Sequence, residues 1–427
     1  MKKVLTFFDI FLIGLGYIIG AGMYSLIYLT TKYGREFTWL SFIVGGLISL
    51  MTGLSYADLS KHFDTTASDY DYITEGLSQD YKITAGTLVV GVGILTISCL
   101  SLAFSNITKK MFNKLPYALI LILSIATPAL INIFDVKTTS YVNTAISATE
   151  ILTLFVLVIA TFLKIGLNGS SNKTIQKFTN FSKVNYKDMI KNNFDFKHFD
   201  IGKMFHGAFL TIIAFSGFEV LPKLAEETID SRENIPKAII WSIIFVIILY
   251  ALISISLNTV LGHRHVSDNI NPITIAFKEL FGANTEGLIN IITLTSIMGG
   301  ILLTILLTSR QLYGVSQRKV FPKIFAEINE RTKTPVNSTI IVSAISLLIC
   351  FIINIDTTNH LINLLLFIIF FLINLANIKM NYDGKMKENI ANKNGEKKGL
   401  KAIPIYSVIG VISSGLIIIK SLKDSFN

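Results

Sequence analysis

Apolar residues run in blocks of roughly 17–25, the length a helix needs to cross a hydrocarbon core, separated by shorter polar stretches. About eleven blocks are predicted as spans. The first five are Phe7–Leu29, Trp39–Leu59, Ala85–Ile107, Pro116–Phe134 and Tyr141–Ile165. Six more follow: Met204–Leu224, Ala238–Leu261, Leu288–Tyr313, Ser338–Ile353, Leu361–Ile378 and Ile403–Ile419. Two hydrophilic segments, 166–203 and 381–402, are rich in Asn and Lys, read as solvated loops and carry no catalytic constellation. The pattern predicts an all-α integral membrane protein. The basic start, Lys2 and Lys3, leads into an apolar run with no small-residue cleavage site, so a first span is expected there and not a cleaved leader.

Composition agrees with the pattern. Of 427 residues, 51% are hydrophobic and 15% charged, against about a quarter charged in soluble domains. The net charge of +10 does not mark a nucleic-acid partner, because the Lys and Arg lie between apolar blocks. There they anchor and orient spans in the lipid bilayer. Their distribution favours a cytoplasmic N-terminus, against the weight of the Lys-rich segment 166–203, which then lies outside. Cys99 and Cys350 sit inside apolar blocks, and the six histidines show no ligand spacing. No disulfide framework, metal or other cofactor is therefore expected. His263 and His265 read as solvated surface.

Two spans carry irregular sequence. Span 1 contains Gly14, Gly16, Gly20 and Gly22; span 6 contains Ala214-Phe215-Ser216-Gly217-Phe218-Glu219, with Pro222 close behind. Small residues also serve helix packing, as in small-xxx-small contacts. The matching positions, with an odd number of spans between them, instead predict interrupted helices in two inverted halves around a midplane binding site. Half-helix N–H groups suit a carboxylate and freed carbonyls suit an ammonium, so the common part of an amino acid needs no ionised side chain.

Charges deep in spans are costly and so informative. Glu150 lies well inside span 5 and Glu219 just after the span 6 break; both are candidate coupling groups. Asp58, Lys164 and Arg310 sit at span ends, where snorkelling is expected.

Several segments resemble the amino acid–polyamine–organocation permeases: Gly14–Tyr24, Ser55-Tyr56-Ala57-Asp58-Leu59, Gly217 through Thr228, Asn234-Ile235-Pro236-Lys237-Ala238, and Ser309-Arg310-Gln311-Leu312-Tyr313-Gly314 on to Thr334-Pro335. The resemblance implies the leucine-transporter-type five-plus-five inverted repeat. It places repeat 1 at residues 5–165 and repeat 2 at 204–380, with span 11 and the C-terminus at 403–427, one span short of the usual twelve. It also implies that the substrate carboxylate meets N–H groups of Ala21 and Gly22 beside Gly20. The amine would meet carbonyls of Ile18, Ile213, Ala214 and Ser216, with Phe215 and Phe218 flanking Gly217. The stretch Phe63–Tyr72 is more acidic than the family pattern. Many members carry Lys where this chain has Glu150, which leaves the coupling ion open between a proton and sodium, the latter with Thr295 or Ser296 as oxygen ligands.

The function implied is secondary active transport of amino acids or related amines, polyamines included, by proton coupling or exchange. The alternative is a membrane sensor that keeps the binding site and moves nothing. An intramembrane enzyme is not expected, since Glu150 and Glu219 alone make no catalytic cluster.

Overall fold

The computed structural model describes residues 3–134, 136–167, 186–194, 196, 199–269, 271–282, 285–385 and 403–426. The three Asn-x-Ser/Thr sequences of segment 166–203, beginning at Asn168, Asn172 and Asn180 and of the kind that accepts N-glycans, lie outside this set. Fifteen α-helices are described. In the first half they are α1 (Phe7–Gly34), α2 (Thr38–Ser60), α3 (Ser68–Gly76), α4 (Lys82–Met111), α5 (Tyr117–Phe134) and α6 (Val136–Leu167). A short α7 (Tyr186–Asn193) precedes α8 (Ile201–Ala214), a 3-10 helix (Phe218–Glu227) and α9 (Ser231–Leu261). Then come α10 (His263–Asp268), α11 (Pro272–Phe281), α12 (Thr285–Gln317), α13 (Val336–Ile352), α14 (Ile355–Tyr382) and α15 (Ile405–Phe426). Among the described residues nine helical stretches are long and apolar enough to cross a membrane, and the shorter apolar helices Phe7–Gly20 and Val336–Ile352 accompany them. These correspond to the eleven spans expected from the sequence.

Local chemistry sets the helix starts. Thr6 and Asp9 form a capping box at α1, the Thr6 N–H donating to Asp9 Oδ2 at 2.8 Å, which satisfies N–H groups a helix start leaves free. Asp200 caps α8 through the Lys203 N–H at 3.1 Å, and Asn354 caps α14 through that of Thr357 at 2.9 Å.

Small residues decide how closely the spans pack. Along α2, Ser41, Gly45, Gly46, Ser49, Thr52 and Gly53 are buried at helical spacing. A Cβ at Gly46 would press into Ile247 and Phe215, and one at Gly53 into Ile243. This stripe seats α2 against both α8 and α9. In lipid, where apolar surface gains little by burial, such close backbone approach is what holds helices together. The first three spans, α1, α2 and α4, pack on α8, α9 and α12 respectively, each on the span five positions later.

Candidate functional site

Span 6 breaks where the sequence predicts. The 14 residues of α8 carry the chain about 21 Å into the membrane, and the helix stops at Ala214. Its last carbonyls are then capped one by one. The Phe215 N–H donates to Ile212 O at 3.2 Å, and the Ser216 N–H and Oγ donate to Ile213 O at 3.1 and 2.7 Å. Gly217 takes φ +128°, a backbone region that side chains avoid and glycine tolerates. Its N–H donates to Glu219 Oε2 at 2.6 Å, and the chain continues as the 3-10 helix. A Cβ on Gly217 would stand 2.9 Å from Tyr17 Cδ1 and 3.0 Å from the Ile18 nitrogen. The missing side chain therefore lets the break lie directly on the backbone of span 1.

Span 1 departs from the expectation. α1 is helical without interruption from Phe7 to Gly34, so the predicted break is not present there. Its glycines divide by task. A Cβ at Gly14 would meet Ser242 and Leu221, and one at Gly16 would collide with Ser147, so these two serve packing. Gly20 meets nothing within 4 Å. The side chains of Ala21 and Gly22 lie outside the described set; their backbone is helical. In a continuous helix their N–H groups bond to carbonyls one turn back and are not free for a carboxylate.

Beside the break lies a small cavity of about 90 Å³, lined by Tyr17, Ser216, Glu219 and Lys223, by Asp69 of α3, and by residues of α4, α12 and α14. The Tyr17 hydroxyl bonds with Thr304 Oγ1 at 3.1 Å. Lys223, 12% exposed, is ion-paired with Asp69 at 3.1 Å, and Gln311 Nε2 donates to the same carboxylate oxygen at 3.1 Å. The sequence reading missed Asp69, Lys223, Tyr17 and Thr304. Two signals were present: Lys223 stands one turn after Glu219 in the same apolar block, and Asp69 belongs to the acidic stretch that departs from the family pattern.

A larger groove, about 480 Å³, lies between α8, α14 and α15, lined by His206, Ile213, His360 and Lys420 among others. Its lining includes neither the break's Ser216 nor Glu219. The smaller cavity, where the broken helix and several polar groups converge, is the candidate site.

The candidate side chains separate. Phe215 is fully buried against Tyr250 and Phe42, with ring centroids 5.3 and 6.5 Å away. Phe218 stacks on Phe370 at 5.5 Å and meets Tyr56 edge-on. Both pack, and neither lines the cavity. Glu150, 2% exposed on α6, is likewise not among the cavity's described lining residues. One turn before it, Ser147 abuts Gly16, and Ile146 faces Gly299, so this side of α6 faces α1 and α12. The Ser296 hydroxyl of α12 stands beside the carboxyl, yet Glu150 Oε1 and Ser296 Oγ are both buried with no partner in hydrogen-bonding geometry. Thr295 is exposed instead, its hydroxyl donating to the Ile292 carbonyl at 2.8 Å.

On the side of the N-terminus the molecule is latched by polar contacts. Arg310, expected to snorkel, is fully buried and paired with Glu227 at 3.3 Å. Arg318 holds Asp71 at 2.8 Å, and Lys3 holds Asp64 at 3.0 Å. The N–H groups of Val4 and Leu5 donate to Glu227 O at 2.9 and 3.0 Å, while the Ile229 N–H donates to Leu5 O at 2.9 Å. Lys164, also expected to snorkel, is buried and donates to the Leu280 carbonyl at 2.6 Å, at the end of α11. Asp58 accepts from the Tyr406 hydroxyl at 2.8 Å, and His263 lies 3.4 Å from Glu36, so neither is merely solvated.

The chain is similar to known proteins along most of its length. Cationic amino acid transporter 5 of Arabidopsis thaliana is 24% identical over 403 residues, 90% of this chain and 66% of the plant protein. The chain thus spans just under two thirds of that relative's length. The branched-chain amino acid permease BcaP of Bacillus subtilis is 23% identical over 88% of this chain and 80% of its own. A methylthioribose transporter of the same bacterium is 23% identical over 97% and 87%. Among solved structures, a nucleobase-cation-symport-1 family transporter, closed with bromovinylhydantoin bound, superposes with TM-score 0.55 at 13% identity, over 99% of this chain and 93% of that one. A sodium-coupled sialic acid symporter, substrate-bound and outward-open, gives 0.57 at 11% identity, over 98% and 90%. These two share the fold, the leucine-transporter-type arrangement expected above. A family model described as amino acid permease matches residues 5–422, and the chain, an integral multi-pass membrane protein, belongs to the amino acid permease family of the amino acid–polyamine–organocation superfamily.

Proposed function

We propose that this chain is a secondary active transporter that moves an amino acid or related amine by alternating access. The observation that carries the reading is the break of span 6 at Ala214–Gly217. It lies on the backbone of span 1 and beside a small cavity lined in part by polar side chains. Irregular backbone at membrane depth survives only where it is buried in protein or lines a cavity, and a half-helix end there supplies carbonyls for a cation. Residues 5–165 and 204–380 act as the two repeats, and the latched N-terminal side is the cytoplasmic one. With Arg310, Arg318 and Lys3 engaged there, the structure corresponds to a state closed on that side. The binding set is Ile18, Gly20, Ala21 and Gly22 on span 1 with Ile213, Ala214, Ser216 and Gly217 on span 6, and Phe215 and Phe218 pack behind it. Its carboxylate half requires α1 to open at Gly20–Gly22 as substrate binds. The relatives named above are described for cationic amino acids, branched-chain amino acids and methylthioribose, so the side chain accepted is a matter for assay.

Glu150 is the coupling group in this reading, with Glu219 as the second acid. A buried carboxylate oxygen without a partner calls for a proton or a cation, and Glu150 Oε1 is one. A proton needs no further ligand and is the first choice. Sodium is the runner-up, with Ser296 beside Glu150 as an oxygen ligand; Thr295, turned outward, is the weaker partner.

The test is flux of radiolabelled amino acids and polyamines into proteoliposomes, with and without a pH gradient or sodium. Accumulation or counterflow of at least one supports the reading. Binding without any flux favours a non-transporting sensor, and absence of both overturns the assignment of substrate class.

A further inference from the structure

The carbonyls that suit a substrate ammonium are already engaged by one side chain from a third span. Tyr250, buried in α9, donates its hydroxyl to Ile18 O at 3.0 Å and stands 3.5 Å from Ala214 O. The first carbonyl belongs to span 1, the second to the last residue of α8. A carbonyl oxygen has two lone pairs. In the continuous α1, Ile18 O already accepts the N–H one turn ahead, so the Tyr250 hydroxyl fills its remaining capacity. At Ala214 O, where the helix has ended, the same hydroxyl supplies a polar partner that the break removed. The Tyr250 ring is fixed between Phe42 and Phe215, with centroids at 5.4 and 5.3 Å.

We infer that Tyr250 is a positioning residue that stands in for the substrate's α-ammonium in the empty protein, tying span 1 to the span 6 break until an ammonium displaces its hydroxyl. The inference rests on the transport reading above and adds a residue and an atom to it. An ammonium that takes Ile18 O must remove the hydroxyl or open the helix there. In both cases amine occupancy at α1 and α8 is reported to α9, which packs on α1, α2 and α6. The hydroxyl thereby lowers affinity for amines and makes its own release part of the binding step.

The experiment compares wild type with Tyr250→Phe, which keeps the ring between its two aromatic neighbours and removes the hydroxyl. Binding is measured on the purified full chain by thermal shift and by competition against whichever amino acid of a twenty-member panel binds wild type best. Each measurement is paired with that amino acid's analogue lacking the α-amine. The expected result is that Tyr250→Phe binds the amino acid about threefold to tenfold more tightly, the worth of one neutral hydrogen bond, while affinity for the analogue is unchanged. The ratio of the two affinities is the readout, because a purely structural role would move both alike. An unchanged ratio overturns the inference, as does a weaker affinity for the amino acid alone, which would make Tyr250 a ligand and not a competitor. If wild type binds no amino acid of the panel, the permease reading fails first and is recognised separately.

Discussion

Spans 1 and 6 carry similar glycine-bearing sequence and meet at one crossing, yet only span 6 is broken. The difference lies in what their glycines do. Gly14 and Gly16 of span 1 admit Ser242 and Ser147 from neighbouring helices, and glycine used in this way leaves the helix intact. Gly217 of span 6 is used for its backbone, at φ +128°, and the structure around it is arranged to hold that conformation. Glu219 accepts its N–H, Ser216 caps the helix it ends, and Pro222 follows in the 3-10 segment. A glycine count therefore measures permission to break and not the break itself. A break needs partners for the hydrogen bonds it forfeits.

The comparison is most severely tested at the anchor of the broken span. The 3-10 segment ends at Glu227, held by the buried Arg310, whereas the charges of α1, Asp9 and Lys32, stand in its first and last turns. Arg310→Met leaves Glu227 buried without its counter-charge and is expected to destabilise the protein by about 3–5 kcal/mol. Thermal unfolding in detergent measures this, and a loss below about 1 kcal/mol, as for a surface pair, would show that the latch holds nothing.

Next comes the break itself. Gly217→Ala forces a side chain into a backbone region costing about 1–3 kcal/mol and pushes a Cβ onto Tyr17 and Ile18. The variant should insert and express, unfold at lower temperature, and lose most substrate flux. Normal flux at normal stability would remove the crossing from the site.

On the span 1 side, Glu150→Gln keeps the shape and removes the titrating group. Uphill uptake and its pH dependence should disappear while exchange of internal for external substrate persists. Concentrative uptake with an unaltered pH profile would rule out Glu150 as the coupling group. A sodium requirement lost with the same substitution would favour sodium over the proton.

The smallest effect is expected at Gly20, whose added Cβ meets nothing within 4 Å. Gly20→Ala should raise stability by up to about 1 kcal/mol, the helix preference of Ala over Gly, and weaken substrate binding by no more than the matching fewfold factor, because the proposed carboxylate half needs α1 to open there. Higher stability with unchanged binding would show that span 1 does not open at Gly20.

Periodicity and composition were enough to determine the membrane class, the number and position of the spans, and the place where span 6 gives way. Those properties depend on stretches of about twenty residues or fewer, and local sequence contains them whole. Family order along the chain identified the fold for a similar reason, since five ordered segments carry more information than any single motif.

Tertiary structure alone decided what depends on a partner far away in sequence. Arg310 reads as a span-end residue until Glu227 is brought beside it. Asp69 reads as a loop acid until Lys223 and Gln311 reach it inside the cavity. Phe215 and Phe218 read only as neighbours of Gly217 until the fold brings Tyr250, Phe42 and Phe370 against their rings. The hydroxyl of Tyr250 shows nothing in sequence of the two carbonyls it meets, one 232 residues away and one 36. A side chain's charge and hydrogen-bonding capacity are written in its residue type. Which group satisfies that capacity is a property of three-dimensional proximity, and in a membrane, where water cannot substitute, it decides what each buried polar residue does.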